Sequence, residues 1–247
     1  MARYKVELEY DGTNLIGWQE NQDGPSVQSI MMDAIEKFCG LRPTIFGAGR
    51  TDAGVHAIRM TAHFDLDVEH SPFTVMNALN FYLLNEPVAV LSCEKVDEDF
   101  SARFSCIARH YKYVVLNRAA RPVLEKNKVY WVPQKLNVDA MRVAAKKLIG
   151  NHDFTSFRAS QCQAKSPIKT LDKLDIKLDG DYIIFELSAR SFLHHMVRNI
   201  VGTLIEIGLG KPYDIDDVLN AKDRRAAGPT APASGLYFIR ADYSTND

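Results

Sequence analysis

A glycine-rich stretch at residues 47–57, GAGRTDAGVHA, carries the residue types that could do chemistry. It places one carboxylate, Asp52, between Arg50 and His56, and strand-like apolar residues precede and follow it. Glycines allow backbone angles that other residues avoid, and they let a second molecule approach closely. The stretch therefore predicts a shaped loop between two strands. An ordinary turn has a similar composition, because aspartate often bonds nearby backbone N–H groups.

Known phosphate-binding motifs do not fit this loop. A G-x-G-x-x-G pattern would begin at Gly47, but Asp52 stands where its last glycine belongs, and the Gly-Lys-Ser/Thr end of a P-loop is absent. A carboxylate at that place would repel a pyrophosphate. The sequence therefore disfavours a nucleotide cofactor.

Two further places could contribute to a reaction. Tyr111 lies on an alternating segment that predicts a strand, where paired aromatic residues are more often core. Arg198 lies among apolar residues of a helix predicted over 193–207, with His194 and His195 four and three positions before it. A buried arginine needs an anionic partner. We predict no metal site, because no cysteines or carboxylates stand near these histidines at ligand spacing.

Charge is divided unevenly along the chain. The net charge of the 247 residues is −1, yet residues 1–105 carry 8 Lys+Arg and 16 Asp+Glu. The remaining 22 and 15 give residues 106–247 a net charge of +7. A basic second half predicts a polyanion-binding surface, although two oppositely charged halves could also simply attract each other.

Apolar periodicity predicts an α+β protein with two halves, 1–105 and 106–247. The first half reads strand, helix, strand, strand, helix, strand, which is the ferredoxin-like order. The second half partly repeats this order, and residues 222–232 read as an irregular connection. Apolar runs are too short to cross a membrane, and the first residues lead directly into a strand pattern without a signal peptide. We therefore expect a cytoplasmic protein without membrane contact.

The string at residues 49–57, GRTDAGVHA, resembles the signature of the TruA family of tRNA pseudouridine synthases. Further blocks occur in the family's order over nearly the whole chain. They are YDG at 10–12, GWQ at 17–19, ARFS at 102–105, YKY at 111–113, NHDFTSFR at 151–158 and FLHHMVRNIVG at 192–202. The resemblance implies that the two ferredoxin-like halves join into one extended, mainly antiparallel sheet, with helices on the outer faces and a central cleft.

The resemblance also implies roles for individual residues. Asp52 is the essential carboxylate, and whether it adds to C1′, adds to the uracil ring or removes the C2′ proton stays open. Tyr111 stacks on the target base, and Arg198 pairs with Asp52. Arg50 contacts phosphate or enters the RNA stem when the base leaves it. Weaker candidates for RNA contact are His56, Arg103, Arg109, Lys112 and Arg158.

The implied substrate is uridine at positions 38–40 of the tRNA anticodon stem-loop. The resemblance implies no cofactor, no metal and a homodimer, which would also account for the apolar helix at 193–207. One alternative is a non-catalytic RNA-binding protein on the same fold. A glycoside or N-glycosyl hydrolase is disfavoured, because it needs a second carboxylate and the loop offers none before Asp65.

Overall fold

The computed structural model describes residues 1–244 of the chain. The strands are β1 (Ala2–Tyr10), β2 (Phe46–Gly47), β3 (His56–Leu66), β4 (Val88–Val96), β5 (Cys106–Leu116), β6 (Tyr130–Trp131), β7 (Gly150–Asp153), β8 (Ile168–Asp179), β9 (Tyr182–Ala189) and β10 (Leu236–Tyr243). The α-helices are α1 (Val27–Cys39), α2 (Pro72–Tyr82), α3 (Val138–Lys146), α4 (Met196–Gly208) and α5 (Ile215–Ala221). Short 3₁₀ turns occupy Thr155–Phe157, Arg224–Ala226 and Ala233–Gly235.

The chain forms two compact units. The first comprises Met1–Ile107 and the described residues from Tyr237 onward, and the second comprises Ala108–Leu236. The sequence-based division after residue 105 lies close to the first boundary, but it assigns the last strand to the second half. In the structure β10 pairs in parallel with β3, with Tyr237 opposite His56. This long-range pairing returns the end of the chain to the first unit.

The sheet of the first unit has the strand order β4-β1-β3, and both β2 and β10 pair with β3. β1 is antiparallel to both of its neighbours. Its alternation buries Tyr4, Val6 and Leu8 on one face, because successive side chains of a strand point to opposite faces. The element order β1-α1-β2-β3-α2-β4 is the ferredoxin-like order predicted from the sequence.

Helix α1 has residues typical of helix termini at both ends. The Ser26 hydroxyl accepts the N–H of Ser29, and the Ser29 hydroxyl accepts the N–H of Ser26 in return. This reciprocal pair satisfies two N–H groups that the first turn leaves without helical partners. Gly40 ends the helix in the left-handed conformation, and its N–H donates to the carbonyl of Glu36.

The sheet of the second unit has the order β7-β8-β9-β5, with antiparallel neighbours throughout and with β6 parallel to β5. β8 ends at Asp179 and the turn to β9 begins at Gly180, an Asp-Gly pair of the kind that is typical of hairpins. Each unit therefore combines a mainly antiparallel sheet with helices, which confirms the α+β class.

Helix α4 is almost entirely buried in the chain itself. Its buried residues include Met196, Val197, Ile200, Val201 and Leu204. Its apolar sequence is therefore explained by packing within one chain and needs no dimer interface, contrary to the sequence-based interpretation. Within residues 1–244, each helix is too short or too polar to cross a lipid bilayer.

We expect Gly17→Ala to lower the free energy of unfolding more than Gly40→Ala. Both glycines have positive φ, 106° and 77°, so a side chain at either position costs about 1–2 kcal/mol of backbone strain. A Cβ at position 17 would also lie 2.4 Å from the carbonyl oxygen of Thr51, whereas nothing lies within 4 Å at position 40. Overpacking adds roughly 1–3 kcal/mol. Urea denaturation measures both variants, and equal losses would contradict the close contact.

Candidate active-site elements in the two units

The backbone at Asp52 is held from both sides within the first unit. The N–H of Trp18 donates to the carbonyl of Thr51 at 3.0 Å, and Gly17 forms an isolated antiparallel bridge with Asp52. On the other side, the N–H of Val55 donates to the carbonyl of Asp52 at 3.2 Å. The Asp52 side chain is half-buried. The segment around residue 17 therefore fixes where the carboxylate lies.

Side chains beneath the loop add to this support. The hydroxyls of Tyr10 and Thr51 are 2.9 Å apart and buried. The indole ring of Trp18 packs so closely on Gly47 that a Cβ there would lie 2.6 Å from it. Gly47 is therefore needed for space, whereas Gly54 supplies the positive φ of 80° that the turn after Asp52 requires. The predicted shaped loop is a rigid one.

His56 lies at the start of β3 with 1% of its surface exposed. Its Nδ1 atom is 3.0 Å from the N–H of Gly12 and 3.1 Å from a carboxylate oxygen of Asp11. Since Nδ1 can accept from an N–H only when it carries no proton, the backbone donor and the carboxylate compete for it. We favour the backbone bond because His56 is buried, while Asp11 is exposed enough to be solvated. The ring also packs on Tyr237, at 4.9 Å between centroids.

This burial favours a supporting role for His56. The ring is shielded from solvent and bonded to the backbone of Gly12, so its predicted contact with RNA stays a prediction. In contrast, Arg50 and Arg103 are exposed in the same unit. The Arg103 guanidinium lies 5.4 Å from the ring centre of Phe104.

In the second unit, β5 carries three of the predicted residues. Tyr111 is 9% exposed and meets Phe192 edge-on, with 5.1 Å between ring centroids. Arg109 is equally buried and donates to the carbonyl of Arg190. Lys112 is half-buried and lies on the opposite face of the strand. The bond to Arg190 gives Arg109 a structural contact, and its predicted contact with RNA stays a prediction.

Tyr113 is a core residue, as the sequence predicts for the second tyrosine of the pair. It is fully buried, and its hydroxyl donates to the carbonyl of Pro232 at 2.7 Å. Burial raises the pKa of this tyrosine well above its usual value, the charge of nearby Tyr130 raises it further, and the positive charge of Arg198 opposes the rise.

Helix α4 begins three residues later than predicted. His195 is its N-cap with φ of 63°, and the N–H of Met196 donates to the carbonyl of Leu193 in a turn before the helix. Arg198 therefore lies in the first helical turn, and His194 and His195 do not share a helical ridge with it. The two histidine rings pack together instead, at 4.1 Å between centroids.

Two hydrogen bonds join Arg198 to a single residue, Ala231. The Nε–H of Arg198 donates to the carbonyl of Ala231 at 2.8 Å, and the N–H of Ala231 donates to the carbonyl of Arg198 at 3.1 Å. The side-chain bond engages one of the five N–H donors of the guanidinium. Sequence analysis missed Ala231, because the segment around it reads only as an irregular connection.

Arg158 uses its guanidinium within its own loop. Its Nη2 donates to the carbonyls of Cys162 and Ala164, at 2.6 Å and 2.9 Å. These bonds shape the loop after the 3₁₀ turn Thr155–Phe157 and compete with the predicted contact to RNA.

Comparison with known proteins decides the family. A family model described as tRNA pseudouridine synthase matches residues 144–244. A tRNA pseudouridine synthase A from Paramagnetospirillum magneticum is 51% identical over 100% of this chain and 97% of its own length. The chain belongs to the TruA family of tRNA pseudouridine synthases. A second TruA relative, tRNA pseudouridine synthase A from Bartonella quintana, is 48% identical over 98% of this chain and its full length.

The TruA family assignment confirms the resemblance carried by residues 49–57, and it confirms that the chain is a pseudouridine synthase, an isomerase. A solved Cbf5-Nop10-Gar1 complex also has some likeness to the chain, with a TM-score of 0.41 and 10% identity over 95% of this chain and 48% of that chain.

The raised pKa of Tyr113 predicts how stability depends on alkaline pH. An unfolded tyrosine ionises near pH 10, below the pKa of the folded residue. The stabilisation is therefore complete below pH 10 and is lost as the pH rises toward the folded pKa, by up to about 1.4 kcal/mol per pH unit. We expect Tyr113→Phe to flatten this decline between pH 9.5 and 11, roughly by that slope. Urea titrations at several pH values measure it, and an unchanged slope would contradict the assignment.

Proposed function

We propose that the chain isomerises uridine to pseudouridine at positions 38–40 of the anticodon stem-loop of tRNA. The observation that supports this most is the signature loop, which holds Asp52 on a fixed backbone in a chain that belongs to the family. The relatives are named tRNA pseudouridine synthase A, which supports tRNA as the substrate class. The positions rest on the resemblance of the sequence blocks alone.

The proposed reaction rearranges one nucleotide. The bond between C1′ and N1 of uridine breaks, a bond between C1′ and C5 forms, the proton leaves C5, and N1 gains a proton. No atoms or electrons are gained from another molecule, so the reaction needs no cofactor. A carboxylate near the sugar can stabilise or capture the electron-poor C1′, as in glycoside chemistry. We assign this place to Asp52, and its alternative roles at the uracil ring or at C2′ stay open.

We propose that Arg198 keeps the Asp52 carboxylate ionised and oriented. A half-buried guanidinium among apolar residues of α4 requires an anion, which supports this pairing. An ion pair of this kind favours the charged form of a carboxylate. The bond from Nε to Ala231 supports the assignment further, because it restricts a side chain that otherwise has many rotamers.

Tyr111 is the residue that we propose stacks on the detached uracil. Its ring is held edge-on by Phe192, so the ring is oriented before substrate binds. Stacking on an aromatic side chain is a common way to hold an extruded base. The exposed Arg50 lies two residues before Asp52, and we propose that it contacts phosphate or fills the space that the base leaves.

The homodimer and the cytoplasmic location are also part of this proposal. Exposed apolar side chains on and after α2, which are Phe73, Phe81 and Leu84, support a self-association surface on the first unit. The proposed tRNA substrate supports the cytoplasm. Family membership disfavours the alternative of a non-catalytic RNA-binding protein.

Mapping of pseudouridine in tRNA after incubation with the protein tests the proposed reaction. We expect new pseudouridine only at positions 38, 39 and 40, and Asp52→Asn should lower its rate at least about 1,000-fold, since it removes the charge on the proposed reactive group. The affinity for tRNA should stay within about threefold, because the amide keeps the shape of the side chain. Asp67→Asn, at an exposed position of the same unit, is the control and should retain full activity. Pseudouridine at other positions would contradict the proposed target positions. An active Asp52→Asn variant would contradict the proposed chemistry.

Salt dependence of tRNA affinity tests the RNA contacts. Each phosphate contact contributes about 0.7–0.9 to the slope of log K against log salt concentration. We expect Arg50→Ala to reduce that slope by about this amount, because the charge that meets phosphate is lost. Arg240→Ala is the control, since Arg240 is exposed but paired with Asp242 in the same unit. An unchanged slope in Arg50→Ala would exclude a phosphate contact at that position.

A further inference from the structure

A segment of the second unit, residues 224–232, lies directly on helix α4, and we call it the strap. A Cβ at Gly202 would be only 1.8 Å from the carbonyl oxygen of Pro229, so helix and strap are in contact through their backbones. At the next residue of the helix, the N–H of Gly228 donates to the hydroxyl of Thr203 at 2.9 Å. The strap is therefore fixed against the helix, although its sequence has no regular pattern.

Arg224 joins the strap to the helix through neutral partners. Its Nη2 donates to the side-chain oxygens of Asn199 and Thr230, both at 3.0 Å. Its Nη1 donates to the carbonyl of Ala227 at 3.3 Å. The hydroxyl of Thr230 also donates to the Asn199 oxygen at 2.7 Å, which closes a triangle of three side chains. Burial lowers the pKa of Arg224, which is consistent with partners that carry no negative charge.

Asn199 anchors this triangle to the rest of the unit. It is fully buried, and its Nδ2 donates to the carbonyl of Phe157 at 2.8 Å. Its own carbonyl accepts the hydroxyl of Thr203 at 2.8 Å. Since Asn199 directly follows Arg198 in the chain, the strap is tied to the same helical turn that carries the proposed catalytic arginine.

The end of the strap meets two residues of the site described above. Ala231 exchanges two hydrogen bonds with Arg198, and the next carbonyl, of Pro232, accepts the hydroxyl of Tyr113. Within the described residues 1–244, the two guanidinium groups bind different atoms, so Arg224 acts on Arg198 through the placement of the strap. A displaced strap would therefore withdraw the acceptor that orients the Arg198 side chain.

We propose that Arg224, with Asn199 and Thr230, is a positioning residue for pseudouridine formation, acting by holding Ala231 where it orients the guanidinium of Arg198. This inference rests on the proposed function, in which Arg198 serves the reactive carboxylate. A direct contact between Arg224 and tRNA phosphate is the competing explanation, and it is disfavoured because three of the five N–H donors of Arg224 bind acceptors inside the unit.

Steady-state kinetics with a matched pair of variants tests the inference. We expect Arg224→Met to lower kcat roughly tenfold with KM within about twofold, since misplacement of a catalytic group affects the chemical step. Arg225→Met is the control, because Arg225 is exposed and binds only Asp223 beside it. Thr230→Val removes one hydroxyl at constant shape and should lower kcat less than Arg224→Met does. It also keeps the inference testable should Arg224→Met not fold.

A double-mutant cycle separates positioning from a general loss of structure. If Arg224 acts through Arg198, then Arg224→Met should change kcat by less than about twofold when Arg198 is already Gln. A merely structural role would lower kcat by the same factor in both backgrounds. Thermal denaturation of every variant gives a temperature at which all are folded, and the rates are compared there.

Two outcomes overturn the inference while the proposed function stands. One is an equal loss of kcat from Arg224→Met in both backgrounds, and the other is a rise in KM alone, which would indicate a tRNA contact. A third outcome, wild-type kcat in Arg198→Gln, would contradict the proposed role of Arg198 itself and the positioning inference with it. Coupling between Arg224 and Arg198 in the double-mutant cycle, together with an unchanged kcat in Arg225→Met, supports both the proposed role of Arg198 and the positioning inference.

Discussion

The position of the Asp52 carboxylate depends on a backbone contact in the first unit. Gly17 bridges Asp52 as in an antiparallel sheet, the N–H of Trp18 donates to the carbonyl of Thr51, and a side chain at 17 has no room. Because the contact is between backbones, it fixes the carboxylate more firmly than side-chain packing alone. When a reactive group is already in place before substrate binds, none of the binding energy is needed to order that group. The placement of the other loop residues depends on this contact.

A comparable constraint governs the arginine in the second unit. Arg198 lies in the first turn of α4, where the helix dipole is positive and disfavours a cation. Because its neighbours are buried, an arginine at this position lowers the stability of the fold further, and the role proposed for Arg198 accounts for its presence there. The backbone of Ala231 offsets a small part of this cost by accepting the Nε–H. Such a local conflict between stability and charge is typical of reactive sites.

The sequence predicts elements whose signals are local. Ser26 and Gly40 define α1, and the Asp179-Gly180 pair defines a hairpin, because caps and turns depend on residues only a few positions apart. It does not predict the return of β10 to the first unit or the role of the strap, which both depend on partners far away in the chain. The helix predicted from Leu193 begins at Met196, because His195 adopts a left-handed conformation that periodicity does not reveal.

Burial separates basic residues that look equivalent in the sequence. Arg50 and Arg103 are exposed, whereas Arg109 and His56 are buried and bonded to backbone groups of their own units. The predicted positive surface therefore comes from fewer side chains than composition indicates. A buried cation contributes only weakly to the electrostatic field that a polyanion meets at the surface of the protein. It nevertheless helps to fix the strand that carries it and its neighbouring residues. Arg109 lies two residues before Tyr111 on β5, and its bond to the carbonyl of Arg190 helps to fix that strand.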